Sequence, residues 1–322
     1  MNITKKKWDI IVAGELNIDI ILNGIHSFPE IGKDIQADQF SFVLGSSSAI
    51  FASNIASLGA KAAFCGLIGE DYFGDYILEK LKEREIDTSM VIRTDKSHTG
   101  ITFILNYDND RASVTYHGTM ALSSIDMIPF RRLKNAKHFH LSSCFLLPKV
   151  LNRLPEIYQK AKKAGLTTSL DPQWDPHEKW NLDLPAVMEY IDVLFLTEPE
   201  FLSITKSTDT RASMKKTCIG NNIIVLKQGI LGSTLFSKQT GFIQTKGYLN
   251  PNIADAIGAG DSFNAGFIFK FINGAELAEC QDFGSLAGAV STTRTGGTAA
   301  FNDPEEISKT MMEFKKNIRP SF

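Results

Sequence analysis

The chain has no stretch approaching the roughly 18 consecutive apolar residues of a membrane span. The apolar segment after Lys7 already carries Asp9, Glu15 and Asp19, which argues against a secretory leader. Strong charge of one sign is also missing. The 34 basic and 36 acidic residues leave a formal charge of −2, so no broad affinity for nucleic acid or a membrane surface is expected. Lys5, Lys6 and Lys7, with Lys315 and Lys316, are short basic patches near the ends. Cysteine is sparse: Cys65, Cys144, Cys218 and Cys280 lie far apart. That excludes a disulfide framework and paired-cysteine metal sites, and fits buried thiols in a reducing cytoplasm. No internal repeat, low-complexity tract or long linker is present. No Gly-x-Gly-x-x-Gly follows the first apolar strand, which argues against a nucleotide-dependent dehydrogenase. What remains is a 322-residue chain, 43% hydrophobic and 22% charged. Its composition is that of an ordinary soluble protein, long enough for one large α/β domain or for two.

The pattern alternates. Short apolar runs at 9–14, 62–67, 138–142, 167–170, 193–196 and 223–226 predict buried strands. Helical periodicity is predicted over 47–58, ending at Gly59, and over 75–84, 149–164, 262–272, 277–293 and 304–316. Strands separated by helices imply a mostly parallel sheet covered on both faces. Two segments break the rhythm. Residues 18–43 and 99–116 hold strand-like runs with no helix between them, and 101–106 with 112–116 predict a hairpin turning at Asp108-Asn109-Asp110. Such strands would pair into a small separate sheet, a lid over a ligand.

The run Asp255-Ala256-Ile257-Gly258-Ala259-Gly260-Asp261 carries the clearest chemistry. Glycine lets backbone N–H groups approach a ligand closely, and a loop of this kind opening a helix favours phosphate. A carboxylate beside bound phosphate is repelled unless it has work there, such as taking a proton from an attacking hydroxyl. The alternative is a tight turn with Asp261 as a plain N-cap.

Four further segments accompany that run: Gly14-Glu15-Leu16-Asn17-Ile18-Asp19, Gly66 to Gly74, Thr197-Glu198-Pro199-Glu200, and Lys227-Gln228-Gly229 with Gly232-Ser233. In this order they resemble the PfkB/ribokinase family of carbohydrate kinases over nearly the whole chain. The resemblance implies one ribokinase-like domain over 1–322, a three-layer α/β fold whose mostly parallel sheet is flanked by helices. Insertions at about 16–44 and 97–120 would form a small β-lid. It further implies an ATP-dependent sugar kinase in which Asp261 is the general base and Gly258, Ala259, Gly260 and Asp261 form an anion hole. Asn17, Asp19, Gly45, Ser46 and Asp171 would meet the sugar, and Lys227, Gly229, Gly232, Ser233 and Gly288 the nucleotide. Glu200 would organise Mg²⁺ through water. Asp255, Ile257 and Gly296 would hold a monovalent cation, K⁺, although Ala300 falls where a ligating serine is usual. Exposed lid edges imply a homodimer through the β-lid.

The sequence also departs from the family. Ser46 replaces a second glycine, Ile50 a sugar-contacting asparagine, and Thr197 an asparagine. Asp171-Pro172-Gln173-Trp174-Asp175-Pro176 stands where Asp-x-Asn-x-Arg is common. With Asp175 in the cationic position, an acidic or phosphorylated sugar is disfavoured, so a neutral monosaccharide phosphorylated on a primary hydroxyl is expected. Trp174 is read either as a stacking surface for a sugar or as core under a loop. His138 and His140 share a strand face, but no further ligand follows at metal spacing. Two other readings stay open: a nucleoside kinase of the same fold, and a non-catalytic sugar sensor, which the intact Gly258–Asp261 set opposes.

Overall fold

The computed structural model describes residues 6–107 and 111–316. In chain order, β1 (Trp8–Ala13), β2 (Asn17–Asn23) and β3 (Gln39–Leu44) precede α1 (Ser47–Ser57). β4 (Ala62–Gly69), α2 (Tyr72–Glu83), β5 (Asp87–Thr94), β6 (Gly100–Asn106) and β7 (Arg111–Tyr116) follow. The middle of the chain holds α3 (Phe130–Leu133), β8 (Ala136–Ser142), α4 (Pro148–Leu151), α5 (Leu154–Lys163), β9 (Thr167–Asp171) and α6 (Leu184–Met188). Next come β10 (Val193–Thr197), α7 (Glu198–Thr205), α8 (Thr210–Thr217), β11 (Ile223–Lys227), β12 (Ser233–Ser237) and β13 (Gly241–Thr245). Three helices complete the described chain: α9 (Ala259–Ile272), α10 (Leu277–Ser291) and α11 (Pro304–Lys316).

The large sheet has nine strands in the order β13-β12-β11-β10-β9-β8-β1-β4-β5. All neighbours from β11 to β5 pair in parallel, and the β12 and β13 pairings are antiparallel. Side chains alternate across a strand, and β1 shows the consequence. Ile10 and Val12 pack with Phe51, Phe263 and Phe267, whereas Ile11 and Ala13 pack with Phe139, Leu141 and Tyr158. Both faces are covered, as the apolar runs predict.

Several elements differ from the sequence reading. The predicted helix over 149–164 is two pieces, because Pro155 lacks an N–H and starts α5 afresh. The helix predicted from residue 75 begins at Tyr72, where the Asp71 side chain accepts the Gly74 N–H. β5 reads polar because it is an edge strand, and the short β12–β13 hairpin has no long apolar run to announce it.

The lid is a four-stranded sheet in the order β3-β2-β6-β7. The β6–β7 pairing runs from Ile101↔Tyr116 to Asn106↔Arg111. The turn read at Asp108-Asn109-Asp110 lies outside the described residues. Register places Ile20, Phe42, Phe103 and Val114 in one row across the four strands, with Phe40 and Tyr116 on the same apolar face. Asn17, Asp19, Asn23, Thr102 and Asn106 occupy the other. Tyr76 on α2 donates to the Phe42 carbonyl and anchors the lid. On the inner face Ile21 and Ile104 pack on Ile257, so the lid touches the glycine-rich loop directly. Among the described residues, no helix is long and apolar enough to cross a membrane. All four cysteines are free and buried.

Candidate active site

Parallel strands converge their carboxyl ends on one edge, where open α/β sheets bind ligands. Here Asp171 ends β9, Thr197 ends β10 and Lys227 ends β11, with Thr197 and Lys227 in register. Glu15 follows β1. The glycine-rich loop faces this edge. Gly258 adopts φ 74° and caps α9. A Cβ on it would stand 2.6 Å from the Gly297 Cα, so no other residue fits without moving backbone. The helix begins at Ala259, three residues before the sequence-predicted start, because glycine and alanine enter a helical turn without a side-chain signal. Ala259, Gly260 and Asp261 therefore supply the first-turn N–H groups, which have no intrahelical acceptor. The Ala259 N–H leans on the Ala256 carbonyl at 3.3 Å. The Lys227 ammonium lies beside Gly260, 3.3 Å from where its Cβ would be, and adds positive charge to the cradle.

Asp261 is 6% exposed. Burial, then the neighbouring Asp171 and Glu15 carboxylates, push its pKa up to about 8 against the pull of Lys227 and a Ser47 hydrogen bond. Its Oδ1 accepts a hydrogen bond from Gln173 Nε2 at 2.9 Å. Asp171, expected from the sequence to reach the sugar, is engaged by protein partners. Its side chain is fully buried, ion-paired to Lys227, bonded by Asn264 Nδ2 and by the Gln173 N–H at 3.1 Å. A carboxylate with its lone pairs so engaged organises the site from behind. Burial lowers the pKa of Lys227, but Asp171, Glu200 and Asp261 outweigh it and hold the ammonium above the ordinary lysine value.

On the lid side, Asn17 Nδ2 donates to Asp19 Oδ1 at 3.2 Å and to Thr102 Oγ1 at 2.9 Å. Burial raises Asp19 to about 7, with Glu15 and Asp255 adding to the shift and Asn17 and Arg111 opposing it. Gly45 sits flat against that carboxylate: an added Cβ would fall 2.3 Å from Asp19 Oδ1. Next to it, Ser46 keeps a glycine-like φ of 70°. Its hydroxyl is already committed, donating to the Glu15 carbonyl at 2.6 Å and accepting the Ala49 N–H at 3.0 Å. Ser46 thus caps α1. Ile50 packs against Gly258 and Gly297, and Asn54 ties α1 to Ser262 Oγ and the Gly297 carbonyl, both at 2.9 Å. The open cleft between lid and glycine loop encloses about 800 Å³ and is lined by Asn23, Gln39, Asn106, Arg111 and Asp255.

In the loop after β9, the Asp175 oxygens accept the His177 and Trp180 N–H groups at 2.9 and 2.7 Å. Trp174 is half exposed with its ring edge-on to Trp180, 4.8 Å between centroids.

A narrower cleft of about 230 Å³ is lined by Lys227, Gly229, Gly232, Tyr248, Gly260, Phe263, Gly288 and Thr292, and so gathers four of the five residues expected to meet the nucleotide. Ser233 is not part of it. That residue is fully buried, and its hydroxyl accepts from Gln281 Nε2 at 2.9 Å. Glu200 is 5% exposed and closes a capping box with Thr197, its Oε2 accepting the Thr197 N–H at 2.7 Å. Threonine thus serves as the N-cap that asparagine would provide. Burial and Asp171 raise the Glu200 pKa. Glu198, in the first turn of α7, is half-buried and joins Thr210 to Gln228. Asp255 clamps two backbone groups, the N–H of Ile257 at 2.9 Å and that of Gly296 at 3.0 Å.

Two groups escaped the sequence reading. Gln173 and Glu15 are ordinary polar residues in sequence, and only the folded chain sets them beside Asp261. Glu15 is buried under Ser48, whose hydroxyl donates to it at 2.7 Å. His138 and His140 form a buried chain with Thr167, Ser169 and Ser142 at 2.7–2.8 Å. Burial keeps both imidazoles neutral, His138 near 3. Among the described residues, no group of three or more His, Cys, Asp or Glu side chains is placed to hold a metal.

The sequence and fold have relatives. The family model for pfkB family carbohydrate kinases matches residues 7–304. A 5-dehydro-2-deoxygluconokinase of Geobacillus thermodenitrificans is 27% identical over 97% of this chain and 95% of its own. A ribokinase of Staphylococcus aureus is 28% identical over 93% of this chain and 98% of its own. The Arabidopsis thaliana ribokinase complexed with ribose and ATP superposes with a TM-score of 0.78 at 22% identity, covering 94% and 98% of the two chains. The chain belongs to the PfkB/ribokinase family and is a kinase-type enzyme that transfers phosphate from ATP to a small sugar- or nucleoside-like molecule.

Proposed function

We propose that the acceptor is a neutral monosaccharide, phosphorylated on a primary hydroxyl, and that the chain acts as one kinase domain with Asp261 as its base. The observation that carries this reading is the buried Asp261 beside a glycine-lined helix start, with Lys227 on the cradle. The acceptor hydroxyl gives its proton to Asp261 as its oxygen bonds to the γ-phosphorus. The bond from that phosphorus to the bridging oxygen breaks, and ADP leaves with the electron pair. The first-turn N–H groups and Lys227 meet the charge on the transferring oxygens without rearrangement, which is most of what phosphoryl transfer needs. Asn17, Asp19 and the Gln39 carboxamide offer donors and acceptors suited to sugar hydroxyls, next to an Asn106–Asn23 amide pair in which Asn106 donates at 2.7 Å. Lys227, Gly229, Gly232 and Gly288 line the nucleotide cleft.

Mg²⁺ fits Glu200, which keeps one carboxylate oxygen beyond the one spent on its cap and lies near Asp171 and Lys227. A bound Mg²⁺ would neutralise phosphate charge through its water shell. Asp255, which gathers the Ile257 and Gly296 N–H groups, would hold K⁺ together with the Ile257 carbonyl and Gly296.

The test is an ADP-release screen with D-fructose, D-ribose, sorbitol, adenosine and D-gluconate, run in potassium, sodium and choline buffers. A neutral monosaccharide should give the highest kcat/KM. Preference for adenosine establishes the nucleoside reading, preference for gluconate removes the neutral-sugar one, and equal rates in all three cations remove the K⁺ site.

The outer lid face exposes Phe40 at 64%, Val114 at 65%, Tyr116 at 50% and Phe103 at 43%. A contiguous apolar face of this kind is an interaction surface. A twofold pairing of lids would cover it, and a particle of twice the 35.6 kDa chain mass is expected in light scattering at micromolar concentration. A monomeric mass removes that reading.

A further inference from the structure

Among the groups around Asp261, one is neutral and reaches it from a strained loop. Gln173 has φ 63°, a left-handed backbone that is uncommon outside glycine and asparagine. Glu178 and Trp180 in the same loop are also left-handed, at 52° and 53°. Strain of this kind persists where the surroundings enforce it, and it gathers at functional sites. Here the enforcing contacts are visible. The Gln173 N–H is held by Asp171 Oδ1 at 3.1 Å, and Asp175 ties the far side of the loop through His177 and Trp180. The residue so fixed directs Nε2 to Asp261 Oδ1 at 2.9 Å.

We propose that Gln173 is a positioning residue for the base: its amide holds Oδ1 of Asp261, fixes the rotation of the carboxylate and favours the ionised form. The proposal rests on Asp261 being the base. A side-chain amide is chemically suited to this task, because it donates to a carboxylate without competing as an acid or base in the working range. The charged neighbours all act differently. Asp171 at the end of β9 and Glu15 after β1 oppose the ionisation of Asp261, while Lys227 at the end of β11 favours it. The Ser47 hydroxyl at the start of α1 also donates to Asp261. Removing Gln173 leaves the two carboxylates in place with one donor fewer, so the proton on Asp261 must be held more tightly.

Gln173→Gly removes the donor at a backbone conformation that glycine prefers, so the fold is retained. Gln173→Asn also tolerates the conformation but is one carbon too short to reach. The ¹³C-carboxyl signal of Asp261, assigned by its loss in Asp261→Asn, is titrated in the ligand-free protein. Both Gln173 variants should raise its midpoint by about half a unit or more. They should also move the acid limb of kcat/KM for the best acceptor of the screen to higher pH by the same amount. At pH 7 kcat should fall about threefold or more, the factor a half-unit shift gives below the midpoint, with the dissociation constant for ATP unchanged. An unmoved carboxyl midpoint overturns the proposal, whatever happens to the rate. Should Asp261→Asn retain wild-type turnover, it is the base assignment that fails, and the carboxyl titration still decides whether Gln173 holds that side chain.

Discussion

Asp261→Asn is expected to lower turnover by about 10²–10⁴-fold, the span of a lost general base, while leaving ATP affinity and the fold in place. Asparagine is nearly isosteric and keeps an oxygen to accept the Gln173 amide, so the packing around α9 has no reason to change. What it lacks is a lone pair basic enough to take the hydroxyl proton. Stability should move the other way. The folded pKa of Asp261 lies near 8, above the ordinary 3.8, mainly through burial. Stability linked to this group is therefore fully present below pH 3.8 and is lost progressively as pH rises through about 8, where the buried carboxyl must ionise. Asparagine escapes that loss, and the variant should melt at a higher temperature than the parent at pH 9 and show little advantage at pH 4. In the parent enzyme, kcat/KM should rise with pH up to about 8 as the base ionises. A variant that keeps most of its turnover sinks the assignment, and so does a pH–rate profile already flat at pH 6.

The second large effect concerns stability first. Lys227→Met should cost about 3–5 kcal/mol in urea unfolding, the usual penalty for breaking a buried ion pair and stranding its partner. The Lys227 side chain is 10% exposed and its partner Asp171 is fully buried, so water cannot take the lysine's place. Glu200 and Asp261 also rely on this cation, and their protons should tighten when it goes. The double variant Lys227→Met with Asp171→Asn removes the stranded charge and should recover most of the stability. Turnover should not recover, because the positive charge beside Gly260 is still missing. If the single variant is as stable as the parent, the ion pair does not hold the site together. If the double variant regains full turnover, Lys227 serves Asp171 alone.

These expectations depend on contacts of different legibility. The alternation of apolar runs announced the parallel sheet, since a strand buried on both faces must read apolar throughout. The glycine-rich run announced the cradle, since only glycine meets the combination of left-handed φ at 258 and backbone at 2.6 Å. Polar residues were less readable. Ser46, Asp171, Asp175 and Ser233 sit where a ligand contact was expected, yet each is occupied by protein partners. A polar side chain near a site carries the same letter whether it faces substrate or closes a turn, and only the three-dimensional set of donors and acceptors tells the two apart.

The sequence by itself thus determined the layered α/β frame, the lid strands and the glycine turn that opens α9, because each rests on a local rule of periodicity or backbone conformation. The tertiary structure decided the surroundings of each carboxylate. Asp171, Glu15 and Asp261 lie far apart in the chain, and only folding puts them in one low-dielectric pocket with Lys227 and Gln173. In that pocket Asp171 is engaged by Lys227, Asn264 and the Gln173 N–H, whereas Asp261 is held by the Gln173 amide and Ser47 at the first turn of α9. The difference arises because pairing and desolvation act through space, across separations that no local pattern records.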